Sequence, residues 1–117
     1  MSYNPSQNYV AANKAGDTFT GKITTTGKAA AYAAKTANYT LTSADEYIEA
    51  TTAAITITLP DAVANSKSLF NIKNSSSGTV TIATTSSQTI DGAGTFPLPI
   101  QYQAISVISN GTNWSIF

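Results

Sequence analysis

The sequence predicts an all-β fold, a β-sandwich or jelly-roll-like domain behind an extended N-terminal arm, and three observations carry that prediction. Short runs in which aliphatic and hydroxyl residues alternate recur about every ten residues, with turn-forming residues between them. Ser and Thr make up roughly a quarter of the chain, while charged residues are only 10% of it, and Thr suits the wet face of a half-buried sheet. The chain closes on Ile100-Gln-Tyr-Gln-Ala-Ile-Ser-Val-Ile-Ser-Asn-Gly-Thr-Asn-Trp-Ser-Ile-Phe117, two strand-like arms meeting at Asn110-Gly111.

That closing segment reads as a hairpin central to the domain. Asn-Gly is expected to supply the two positive-φ residues of a type I′ turn. On the first arm Ile100, Tyr102, Ala104, Ser106 and Ile108 point one way, and Gln101, Gln103, Ile105, Val107 and Ser109 the other. Neither face is cleanly polar, so both have something to bury. A terminal Phe117 implies a C-terminus tied into a sheet, because free ends fray.

Residues 1–13 are polar, with Pro5 and several Asn, and sustain no period, so an extended or disordered arm is expected. Thr18, Thr20 and Lys22 alternate with Phe19, Gly21 and Ile23, a short strand-like pattern whose apolar face must dock elsewhere. Gly27 to Ala37 is Ala-rich, and propensity alone would make it helical. It is shorter than the roughly 12 to 15 residues a helix needs by itself, and Thr-rich strand sequence flanks it, so extended or irregular structure is expected. The arm is assigned to residues 1–37 and the β-domain to 38–117.

Beyond Asn38 the strands expected are Tyr39–Thr42, Tyr47–Thr51, Ile55–Leu59, Ser68–Asn74, Thr79–Ala83, Gln88–Asp91 and Thr95–Pro99 before the hairpin. Ser43-Ala-Asp-Glu46 fits a capping box around a single turn, and Asp61–Ser66 a loop or one helical turn. Pro97 and Pro99 mark an edge strand or a crossing. The expected core is Leu41, Ile48, Ile55, Ile57, Leu59, Phe70, Ile72, Val80, Ile82, Ile90, Ile105, Val107 and Ile116.

Composition bounds the chemistry. The six basic residues are all Lys and balance six acidic ones, and there is no His and no Cys. Disulfides and thiolate sites are therefore absent. Zinc and copper lose their usual ligands, and the common general base is missing. A neutral chain without Arg lacks the basic footprint of nucleic-acid binding. No apolar run approaches the roughly 18 residues of a membrane span. The polar start shows no secretory signal, and the opening Met1 is what a complete short protein would show. No catalytic residue, cofactor or metal is expected. Asp45, Glu46 and Glu49 form the one acidic cluster and could run glycoside hydrolysis, but capping and a solvated face account for them more simply. Asp91 reads as turn chemistry. The glycosylation pattern at Asn38, Asn74, Asn110 and Asn113 is what a Thr/Ser-rich chain produces by chance.

The ordered set Tyr39-Thr-Leu-Thr, Ile55-Thr-Ile-Thr-Leu-Pro60, Phe70-Asn-Ile-Lys-Asn74, Val80-Thr-Ile, Thr89-Ile-Asp-Gly92 and Val107-Ile-Ser-Asn-Gly-Thr-Asn-Trp114 resembles the C-terminal β-domain of bacteriophage tail fibres and related virion appendages. Asn13-Lys-Ala-Gly-Asp-Thr-Phe-Thr-Gly21 resembles an element that recurs along phage fibre shafts. The resemblance implies a homotrimer with a non-enzymatic role on the virion surface, made in the host bacterial cytoplasm. The short segment ahead of residue 38 points toward a capsid cement or decoration protein or a short head fibre. A tail-fibre tip recognising a host surface glycan or protein is the alternative. The expected partners are two further copies and other virion proteins, either the major capsid protein or a tail or fibre component, with a possible host receptor.

Within that frame Phe96, Tyr102, Trp114 and Phe117 are candidates for a threefold interface, with ordinary sandwich core as the other reading. Trp114 could also serve as a glycan platform, though a lone Trp beside a hairpin turn is more often packing. Tyr3, Tyr9, Val10, Phe19 and Ile23 are the candidate virion-anchoring residues of the arm.

Overall fold

A computed structural model describes residues 29–117 as two facing β-sheets. Nine strands follow one another: β1 Tyr32–Lys35, β2 Tyr39–Thr40, β3 Tyr47–Ala50, β4 Thr56–Thr58, β5 Leu69–Asn74, β6 Val80–Ala83, β7 Thr95–Leu98, β8 Ala104–Ser109 and β9 Trp114–Ile116. No helix occurs among the described residues. The larger sheet has the order β1-β3-β5-β8-β9 and the smaller β2-β4-β6-β7.

The connectivity is a coil that turns antiparallel. The first six strands alternate between the sheets, so β1, β3 and β5 run parallel in one and β2, β4 and β6 parallel in the other. Parallel neighbours need a long crossover, usually a helix. Here the crossover is a strand of the opposite sheet. β7 then returns antiparallel beside β6, β8 antiparallel beside β5, and β9 beside β8. The sandwich expectation holds, whereas a jelly roll, built from antiparallel Greek keys, does not describe the parallel pairs.

Several features differ from expectation. β1 lies within the stretch assigned to the arm, so the β-domain reaches back at least to Tyr32. The closing hairpin is not central: β5 holds the middle of the larger sheet and β9 its edge. The hairpin's first arm starts at Ala104, because Tyr102 takes a left-handed φ of 68°. Its tip is not a type I′ turn either. Ser109 and Trp114 are the last pair, and Gly111 alone in the loop has a positive φ, 94°. Asn110 instead uses its side chain, whose Oδ1 accepts from the N–H groups of Thr112 and Asn113. The capping box is displaced by one residue: Thr42 N–H donates to Asp45 Oδ2, and Asp45 N–H to the Thr42 carbonyl. Gln88–Asp91 contributes only isolated bridges at Ile90. The edge position expected of the Pro97 segment is observed, with Pro97 opposite Thr81 on the rim of the smaller sheet.

The core lies between the sheets. Ile48, Phe70, Ile72 and Val107 from one sheet meet Ile57, Val80, Ile82 and Leu98 from the other. Each large aliphatic or aromatic side chain buried there stabilises by about 1.5–3 kcal/mol before entropy is subtracted. Ile105 and Ile116, expected in the core, pack against it half-buried, while Ala50, Ala62, Leu98 and Trp114 complete it.

Asn74 stitches the layers together. It is fully buried at the end of β5. Its Nδ2 donates to the carbonyls of Gly78 and Leu98, each at 2.7 Å, and its Oδ1 accepts from Ser76 N–H and Ser76 Oγ. Leu98 belongs to β7, so this one amide ties the larger sheet to the smaller. A related clamp closes the loop after β4, where Gln88 Oε1 accepts from Ala62 N–H, Gln88 Nε2 donates to Asp61 and Ser109 Oγ donates to the Ala62 carbonyl.

Gly78 turns the chain where the corner before β4 crosses it. A Cβ there would lie 2.8 Å from the Ala53 Cβ. Gly78→Ala is therefore expected to destabilise by about 1–3 kcal/mol through overpacking. Adding Ala53→Gly should recover most of the loss, as a double-mutant cycle in urea would read.

Candidate functional site

Strand alternation sends one half of each strand of the larger sheet outward. The pairing register aligns Tyr32, Tyr47, Asn71 and Ser106 in one row, and Phe117 N–H donates to the Ser106 carbonyl, which extends the row to the chain's last residue. The next row is Ala34, Glu49, Lys73 and Ala104, and on the other side Leu69 pairs with Ile108. Tyr32, Tyr47, Leu69 and Phe117 are all exposed, Phe117 at 85%. Tyr32, Tyr47 and Phe117, with Glu49, Asn71, Lys73 and Ser106 between them, line a groove of about 470 Å³, within the range of roughly 300–1,000 Å³ usual for ligand sites.

The groove's polar groups are held in place. The Glu49 carboxylate accepts from Ser75 Oγ through one oxygen and from the Tyr32 hydroxyl through the other. Ser106 Oγ donates to Asn71 Oδ1 at 2.6 Å, and Asn71 Nδ2 is directed at the Glu46 carbonyl at 3.5 Å. The bond from Ser75, then that from Tyr32, then the Lys73 charge hold the Glu49 carboxyl below its ordinary value of 4.5. Donation to Glu49 in turn pushes the Tyr32 phenol above 10.0.

These shifts set a pH window. Glu49, and Asp61 held down by Gln88 and the Val63 N–H, have folded pKa values below their unfolded ones. Their contribution is therefore complete above 4.5 and 3.8 respectively and is lost as pH falls through the folded values. Tyr32 and Tyr39, the latter raised first by its bond to Asp45, contribute fully below 10.0 and lose it as pH rises beyond that. The melting temperature is expected to be flat between these limits and to fall on both sides. Glu49→Gln should blunt the acid limb, and Tyr32→Phe the alkaline one.

The acidic residues do not converge. Asp45 accepts from Thr42 and Tyr39, and Glu46 Oε2 from Ala31 N–H, so each of the three carboxylates serves a different local structure. Among the described residues no cluster of three or more His, Cys, Asp or Glu could hold a metal ion, and no helix is long and apolar enough to cross a membrane.

The four interface candidates separate. Trp114 is 1% exposed and stacks at a tilt on Phe70, ring centroids 5.6 Å apart. It is core, and its burial removes it from any surface that a second copy or a glycan could touch. Phe96 is half-buried against the same core, opposite Ile82. Tyr102 and Phe117 are exposed, Phe117 on the groove. Tyr102 sits on the β7–β8 turn beside Ile100, also exposed; it does not line the groove but adjoins its Lys73 end, with Lys73 Nζ 5.4 Å from its ring centroid. Tyr3, Tyr9, Val10, Phe19 and Ile23 lie outside the described residues.

Sequence reasoning did not single out Tyr32, Tyr47, Asn71, Lys73 or Ser106. The signal was the pair Tyr47 and Glu49, two apart and so on one face of a strand, repeated as Asn71 and Lys73. Only the parallel register makes them one surface. No protein-family model, curated protein or solved structure matches this chain.

Proposed function

We propose that the chain is a non-enzymatic, homotrimeric structural protein on the exterior of a bacteriophage particle, and that it works there by recognising a host surface glycan or protein. The observation that carries the recognition role is the outer face of the larger sheet. This face leaves Tyr32, Tyr47 and Phe117 in solvent around fixed polar groups, and a cluster of exposed large side chains rimmed by polar ones marks an interaction site. The virion placement rests on the ordered resemblance to phage fibre domains. Placed on a capsid, the protein is a decoration protein or short head fibre; placed on a tail, it is a fibre tip.

The threefold contact is assigned to the β7–β8 turn. Tyr102 holds a left-handed backbone that costs an aromatic residue on the order of 1 kcal/mol or more, and it is 64% exposed next to Ile100. The exposed Tyr102 ring and Ile100 together offer the apolar surface that a neighbouring copy would cover. Neither Tyr102 nor Ile100 lines the groove, which this contact would adjoin only at Lys73. Light scattering after size-exclusion chromatography tests it: the chain should elute at three times its own mass, and Tyr102→Gly, which relieves the backbone, should shift it to one. A wild-type monomer would refute the assembly. Labelling of intact particles with an antibody to the chain tests the location.

A further inference from the structure

We propose that the groove on the outer face of the larger sheet binds a short, uncharged oligosaccharide; this rests on the recognition role above and names its ligand class. A pyranose ring has C–H faces and a rim of hydroxyls that both donate and accept. The groove offers the complement of each. Tyr47 and Phe117 stand at opposite sides, three strands apart, which at sheet spacing is roughly 14 Å between their backbones. That separation suits several linked rings lying across the strands. Aromatic walls give C–H faces an apolar partner.

The floor supplies the hydrogen bonds. Glu49 accepts from Tyr32 and Ser75, and two carboxylate oxygens have about four lone-pair sites, so acceptor capacity remains for sugar hydroxyls. Asn71 Nδ2 carries a second N–H beyond the one directed at Glu46, and Lys73 adds an ammonium donor. Glu49 and Asn71 are already oriented by protein partners, so binding need not order them.

The charges select against other ligands. Glu49 and Lys73 are register partners on adjacent strands and offset each other, so the groove has no net charge with which to hold phosphate, sulfate, an acidic sugar or a cation, and it suits a neutral ligand. An extended peptide would pair with a sheet edge, whereas the groove lies on the face of the three inner strands and is built from side chains.

The test uses the full chain on an array of short neutral and acidic oligosaccharides. The strongest neutral compound is then titrated calorimetrically and by amide chemical-shift mapping. The expected result is a neutral hit that shifts the amides of Tyr47, Asn71, Ser106 and Phe117. Tyr47→Ala and Glu49→Gln, with melting curves confirming the fold, should each weaken binding by about tenfold or more. A preference for acidic sugars, or shifts confined to another surface, overturns the proposal. A change of oligomeric mass on Tyr47→Ala also overturns it, by showing that a second copy fills the groove. If no sugar binds but the protein still labels host cells, the ligand class fails and recognition stands. If neither occurs, both fail.

Discussion

Asn74→Ala is expected to destabilise the domain by about 3 kcal/mol or more, the largest effect of any single polar substitution. The side chain fills every hydrogen-bonding position it has: two donors to the Gly78 and Leu98 carbonyls, and one oxygen shared by Ser76 N–H and Ser76 Oγ. Alanine removes both Nδ2 bonds and leaves the Ser76 N–H without its acceptor in a site without solvent, where an unpaired buried group costs about 1–3 kcal/mol, while the Leu98 carbonyl, opposite Val80 in the β6–β7 ladder, loses one of its partners. Gly78 keeps a bond from Ser76 Oγ at 3.1 Å, so its carbonyl is less affected. Asn74→Asp should be no better, because it turns two donors into a buried acceptor facing two carbonyls. Urea unfolding followed by tryptophan emission reads both. A loss below about 1 kcal/mol would mean that the amide is not what joins β5 to β7.

Trp114→Ala should cost about 3–5 kcal/mol, the usual range for truncating a buried aromatic. The ring is fully buried and packs on Phe70. Trp114→Phe separates packing from polarity. The indole Nε1–H is buried without a partner, so phenylalanine removes a donor that satisfies nothing and loses only part of the volume. It should therefore cost well under half of what alanine does, measured by far-ultraviolet circular dichroism in urea. Equal costs would show that Nε1–H has a partner, such as a bound water, whose loss the cavity alone does not explain.

Much of the fold was legible because alternation is a local property. Ile55-Thr-Ile-Thr-Leu59 and Val80-Thr-Ile82 announce which face is buried whatever their neighbours are. Pairing direction is different. A period-2 strand reads the same in a parallel or an antiparallel ladder, and the turns of the coil are unequal in length: Tyr32 to Tyr47 is 15 residues, Tyr47 to Asn71 is 24. No fixed repeat therefore signals the solenoid-like part. Asn74 was hidden by its company, since Asn-Ser-Ser-Ser-Gly looks like any exposed turn. Leu98 was hidden between two prolines. Trp114 was legible as packing, but whether within one chain or between chains depends on where β9 lies against Phe70.

The candidate site was less legible than the fold. Phe117 was expected to be tied into a sheet, and its backbone is, while its ring faces solvent. Tyr32 stood in an Ala-rich run with no visible role. Glu49 belongs to an acidic cluster that reads as capping and a solvated face. A surface assembled from separate strands has no motif, because its spacing is set by register and not by sequence distance.

Cryo-electron microscopy of the phage particle proposed to carry this chain tests the claim as a whole. The expected map shows three copies on the particle's exterior, joined at the Ile100–Tyr102 turn, with Tyr47, Glu49 and Phe117 of each copy facing solvent. A map in which that sheet face is packed against a neighbouring protein, or in which the chain is absent from the exterior, would contradict it.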